Sequence, residues 1–149
     1  MKLQHYFAAS IQVLALLGVS ASSEAHEYYA KSFKVIHPWA LATQPGATSA
    51  AVYVRFEEIS EGDKLISAQT GLAEKVELRA ASAKGAASKP GVLQAIDLPT
   101  GATVELRPDG AHLMLLNLKE ALQWQRSYPM TLNFEKSGAI PVMVSIGSH

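Results

Sequence analysis

Apolar and polar residues alternate with a period of two along much of the chain. Between Ala51 and Ile59, Val52, Val54 and Phe56 fall on one face and Tyr53, Arg55 and Glu57 on the other. Successive side chains of a strand point to opposite faces, so this is the pattern of a half-buried strand. Thr103–Leu106 and Thr131–Phe134 alternate in the same way. His112–Leu118 is almost continuously apolar, as expected of a strand covered on both faces. Turn-forming clusters separate these runs: Gln44-Pro45-Gly46, Glu61-Gly62-Asp63, Lys89-Pro90-Gly91, Pro99-Thr100-Gly101, Pro108-Asp109-Gly110 and Ser137-Gly138. Short strands at this spacing predict an all-β sandwich or barrel. Ala121–Tyr128 admits one short helical reading, and Gly85–Gly91 reads as a polar surface loop.

The first 25 residues follow another rule. Lys2 precedes an apolar run from Phe7 to Val19 that only Ser10 and Gln12 interrupt. Ser23-Glu24-Ala25 then supplies the small–any–small pattern of a cleavable signal helix. The run is shorter than the roughly 20 apolar residues of a membrane span. The expectation is a signal peptide over 1–25, cut after Ala25, and one mature domain over 26–149. That domain would be secreted and without a membrane span after cleavage.

Composition narrows the chemistry. Hydrophobic residues make up 48 % and charged residues 17 %, enough apolar material to build a core. Lys and Arg number 13 and so do Asp and Glu, a balance without the basic excess that nucleic-acid binding needs. With no cysteine, disulfides, thiolate metal sites and thiol catalysis are excluded. No Gly-x-Ser-x-Gly, His-Glu-x-x-His or phosphate-cradling glycine motif occurs. Any metal must therefore be held by His, Met, carboxylates or backbone groups.

Two sets of candidate ligands emerge. His112 and Met114, two residues apart on a predicted strand, share a face, and imidazole beside thioether suits Cu(I). Cleavage after Ala25 would make His26 the N-terminal residue, with a free amino group and an imidazole on one residue. A second histidine would complete three nitrogens in a T-shaped plane, a set that suits copper. His37 is the nearest in sequence, and His112 is the alternative. Fully extended, the segment from His26 to His37 could span more than ~30 Å, so a bend near Ala30–Ser32 is required.

The stretch Thr103-Val-Glu-Leu-Arg-Pro-Asp-Gly-Ala-His-Leu-Met-Leu-Leu-Asn-Leu118 closely resembles the Thr-Val-Glu-Leu-Lys-Pro-Gly-Gly-His/Tyr-His-Leu-Met core of the periplasmic copper chaperones called PCuAC. His26-Glu-Tyr-Tyr and His37-Pro-Trp-Ala-Leu-Ala-Thr-Gln-Pro-Gly46 resemble that family's opening. Val76-Glu-Leu-Arg79 resembles its Val-Glu-Leu-His, and Leu132-Asn-Phe-Glu-Lys-Ser-Gly138 its closing hairpin. With the turn spacing, the resemblance implies a cupredoxin-like antiparallel Greek-key β-sandwich from about residue 33 to residue 147, a periplasmic location, copper as Cu(I) or Cu(II), and no catalytic role. It also implies delivery to a periplasmic copper-acceptor protein, either a copper enzyme or its assembly factor.

The family's ligands are a His, a Met and the His-x-Met pair, and here the chain departs from the pattern. Arg79 stands at the first His, and no Met lies between Met1 and Met114, the counted position falling near Pro90. A guanidinium cannot ligate copper. Two accounts follow. In one, copper has moved to an N-terminal site on His26, with His37 or His112 completing it, similar to the histidine brace of copper monooxygenases and some periplasmic copper carriers. In the other, the domain is a metal-free partner-binding or scaffold module. Trp39 and Trp124 read as core or rim, Met130 and Met143 as core, and His149 as a frayed terminus. Arg79 has Glu77 and Glu105 as candidate ion-pair partners.

Overall fold

The computed structural model describes residues 26–81 and 91–147. The proposed signal segment, the Gly85–Gly91 loop up to and including Pro90, and His149 lie outside these residues. Ten strands follow one another, and no helix occurs among the described residues: β1 (Glu27–Tyr29), β2 (Lys34–Ala40), β3 (Ser49–Glu57), β4 (Asp63–Gln69), β5 (Ala73–Arg79), β6 (Ile96–Leu98), β7 (Val104–Leu106), β8 (His112–Leu118), β9 (Ser127–Phe134) and β10 (Gly138–Ile146). Hydrogen-bonded neighbours run β5-β8-β3-β2-β10-β9-β4-β6, with β1 added to β2 and β7 to β3. The order is not sequential, as expected of a Greek-key sandwich.

The alternation in β3 sets the two faces. Val52, Val54 and Phe56 point into the core and are at most 2 % exposed. Phe56 packs against Phe33 and Phe134, whose rings also meet each other at 4.8 Å. One apolar cluster unites all the long strands, including Leu65 of β4, Leu113 of β8 and Val144 of β10. The turn between β9 and β10 needs a left-handed residue, and Gly138 supplies it at φ 71°.

Three expectations are corrected. The sandwich is antiparallel except at one seam, where β10 pairs with β2 in parallel through Ser145↔Trp39 and Ile146↔Ala40. β2 is divided between partners. Its first half pairs with β1 and its last residues with β10, and a bulge at His37-Pro38 separates the two stretches. Pro38 has no N–H to give to a ladder, which makes it a natural site for that switch. β8 is covered on one face only: Leu113 and Leu115 are buried, whereas Met114 and Leu116 are half-exposed. Ala121–Tyr128 is not helical. It forms a turn and enters β9 at Ser127, while Leu122 is buried and its N–H donates to the Thr43 hydroxyl at 2.9 Å.

Candidate metal centre

The first candidate pair lies on the β1–β2 hairpin. A two-residue loop, Lys31-Ser32, is closed by the Ala30 N–H donating to the Phe33 carbonyl at 2.9 Å. The ladder continues outward through Tyr29↔Lys34, Tyr28↔Val35 and Glu27↔Ile36. The next rung sets His26 opposite His37, and the His37 N–H donates to the His26 carbonyl at 2.9 Å. The required bend therefore falls in the expected place, and the segment ends at cross-strand separation, about 5.5 Å between Cα atoms. His26 is exposed and His37 half-buried, with Nδ1 of His37 buried.

His37 sits in the bulge at φ 47°. A non-glycine residue in the left-handed region is uncommon, and one preceding proline is normally held in the extended region. Bulges re-aim side chains and cluster near functional sites. A cleft of ≈ 190 Å³ opens over this bulge, with His37, Trp39, Arg55 and Glu105 among its walls. The larger clefts, such as that of ≈ 370 Å³ between Gln69–Gly71 and Pro129–Thr131, touch none of the candidate ligands.

The second pair lies on β8, two strands from His37 across the sheet, with β3 between. His112 and Met114 share the outer face of β8. Nδ1 of His112 lies 3.1 Å from the Gly110 carbonyl. A carbonyl only accepts, so in the neutral ring Nδ1 carries the proton and Nε2 keeps its lone pair. Tyr53 packs beside His112 at 6.5 Å and stacks on Trp39 at 4.7 Å, so rings of β2, β3 and β8 form a row. Burial pushes the Tyr53 hydroxyl pKa up.

What faces this second pair is decisive. β5 sets Arg79 directly opposite His112 and Glu77 directly opposite Met114. The Arg79 guanidinium donates to one oxygen of Glu77 through Nε at 3.1 Å and Nη2 at 2.8 Å. Lys75 reaches the other oxygen at 2.9 Å. Lys75 and then Arg79 hold the Glu77 carboxyl below its ordinary pKa, outweighing the opposing effect of burial. The carboxylate is thus taken by two cations, and a permanent positive charge stands beside the imidazole. Of the two candidate partners of Arg79, Glu77 is the one it takes. Alternation along Lys75-x-Glu77-x-Arg79 puts all three side chains on one face, a signal that names the clamp once the strand is recognised.

Among the described residues, no three His, Asp or Glu side chains converge into a metal-binding group. The four candidates are arranged as two separate pairs, His26 with His37 and His112 with Met114. Trp124 is 54 % exposed, which makes it rim rather than core. Met130 is buried, while Met143 is only half-buried.

Comparison with known proteins places the fold. Residues 33–146 match the LpqE-like lipoprotein family. A protein of Leifsonia xyli subsp. xyli that carries a lipoprotein name is 27 % identical over 128 residues, covering 85 % of this chain and 76 % of its own. Among solved structures, the copper-bound PCuAC domain of PmoF2 superposes with a TM-score of 0.72 at 26 % identity, covering 83 % of this chain and 99 % of that domain. The apo PCuAC domain of PmoF1 gives 0.70 at 28 % identity, covering 83 % and 100 %. The resemblance read from the Thr103–Leu118 core and its flanks is borne out, as is the cupredoxin-like all-β fold.

Proposed function

The chain belongs to the LpqE-like lipoprotein family, and from that premise we propose that it is an exported copper-binding protein of the PCuAC type. Copper is its cargo. The ion is held at the processed N-terminus by the amino group and imidazole of His26 and by the imidazole of His37. The acceptor is a periplasmic copper enzyme or its assembly factor. The observation that carries this reading is the rung that sets His26 opposite His37.

The donor sets argue for the relocation. Nitrogen donors in a plane accept Cu(II) as well as Cu(I). At the other pair, the Arg79 charge opposes any cation at His112. A copper-bound relative of the same fold supports copper as the metal. The lipoprotein names of the relatives support export.

The test is copper titration of protein processed to begin at His26, beside the same protein with its His26 amino group acetylated. Acetylation turns the amino nitrogen into an amide and removes one ligand. The processed protein should bind one copper tightly and the acetylated one weakly. Affinity should fall as pH drops, because the amino group, with an ordinary pKa near ~8, and the imidazoles must be unprotonated to ligate. Equal affinity in the two proteins overturns the N-terminal site and leaves the metal-free partner module as the better account.

A further inference from the structure

The β1 strand has only three residues and, on the proposed cleavage after Ala25, begins beside the N-terminus, where chains usually fray. Its three rungs to β2 are a weak hold. One further contact reaches across the fold. The Met143 N–H donates to the Tyr28 hydroxyl oxygen at 2.7 Å, joining residues 115 positions apart. The need for this bond follows from the divided β2. Because β10 pairs with β2 only at Ser145 and Ile146, the Met143 amide finds no β2 partner. The Tyr28 side chain fills that gap, its ring packed against the core cluster and its hydroxyl serving the orphaned amide. A three-residue strand is thereby fastened to β10 as well as to β2.

We propose that Tyr28 is the positioning residue of the N-terminal copper site, acting through β1 to keep His26 in register with His37. This rests on the reading that copper is held by His26. Only Glu27 separates Tyr28 from His26, so strand alternation continued one residue beyond β1 puts both on the same side. If the strand lifts, His26 leaves His37 and its chelate loses the third nitrogen. Copper bound by both histidines in turn favours the docked strand, since a ligand stabilises the state that binds it.

The experiment is Tyr28→Phe in protein exported and processed through its own leader, with His26→Ala beside it. Removing the hydroxyl leaves a partly buried amide without its acceptor, so the docked strand should become about tenfold less favourable. Three results are expected. The amide of His37 should exchange faster with deuterated water in Tyr28→Phe without any metal present. Cu(II) affinity should fall about tenfold. The paramagnetic resonance spectrum of bound Cu(II) should lose one nitrogen coupling, which a purely global loss of stability would not cause. If Tyr28→Phe leaves His37 exchange, affinity and spectrum unchanged while His26→Ala abolishes binding, Tyr28 has no positioning role and the copper reading stands. If His26→Ala leaves binding intact, the N-terminal site fails and this proposal fails with it. The exchange measurement reports on the tether apart from the metal, so the two failures are separable.

Discussion

The β1–β2 hairpin and the β5–β8 face make opposite use of the same kinds of residue. On the hairpin, the His37 N–H donates to the His26 carbonyl, and Arg55 and Glu105 share the cleft wall with His37. On the β5–β8 face, His112 and Met114 also share a side, but Arg79 and Glu77 stand opposite them, locked to each other at 2.8 Å. β8 is a regular strand at its pair, whereas His37 sits in a bulge at φ 47°. On the proposed reading, the guanidinium on the rung facing His112 is what separates the two regions.

The sharpest way to break this comparison is to remove one histidine from each region. His26→Ala should lower Cu(II) affinity beyond the ~10–100-fold that loss of an outer-shell partner costs, because it deletes a ligand outright. His112→Ala should leave Cu(II) affinity within about threefold, by the same accounting of ligand shells. Isothermal titration of the two variants measures both. The reverse ranking would mean that copper sits on the β8 pair in spite of Arg79.

Next in size is a change that should weaken the fold without favouring either region. Asp63 is 6 % exposed and accepts hydrogen bonds from the Lys64, Lys136 and Ser137 amides and the Ser137 hydroxyl. Burial alone would raise its pKa, but these donors, led by the Lys136 amide and the Ser137 hydroxyl, together hold it below 3.8. A carboxyl depressed by folding contributes stability that is complete above its unfolded pKa and is lost as pH falls through its folded pKa. Asp63→Ala should cost about 2 kcal/mol at neutral pH by leaving those donors unpaired. It should also flatten the decline of stability below pH ~4. Denaturant melts across pH check both. Copper affinity measured well below the melting range should stay that of the unmodified protein.

The hairpin was the less legible of the two regions. The His112-x-Met114 pair is readable from alternation alone. The bend between His26 and His37 could be required but not seen, because Ala30-Lys31-Ser32-Phe33 holds neither Gly, Pro, Asn nor Asp to announce a turn. The β3 faces were legible because a strand with one buried face must alternate. The parallel seam and the bulge were not, since both depend on which strand β2 meets halfway along. The Tyr28–Met143 bond joins the two ends of the chain and has no local signature at all.

A smaller effect sharpens the comparison from the other side. Arg79→His removes a positive charge from the rung facing His112 and supplies an imidazole there. A unit charge some 5 Å away is worth a few kcal/mol at an effective dielectric of about 20, so Cu(I) affinity at this face should rise at least about tenfold. Adding a methionine near Pro90 should raise it further. Competition titration against a Cu(I) chelator reads the gain. No gain would mean that more than the arginine disables this face, and the clamp on Glu77 by Lys75 would be the next suspect.

The smallest effect expected is that of Met114→Leu. The two side chains are similar in volume, and Met114 is only half-buried, so stability should change by less than ~1.5 kcal/mol. Cu(II) affinity should not move, because the nitrogen set on the hairpin needs no thioether. The informative case is Met114→Leu placed on top of Arg79→His. If the arginine alone silences the β5–β8 face, the gain in Cu(I) affinity seen with Arg79→His must disappear when the thioether is removed. A gain that survives would mean that the new histidine recruits His112 without Met114. The face would then be a pair of imidazoles rather than the His and Met set that its strand register offers.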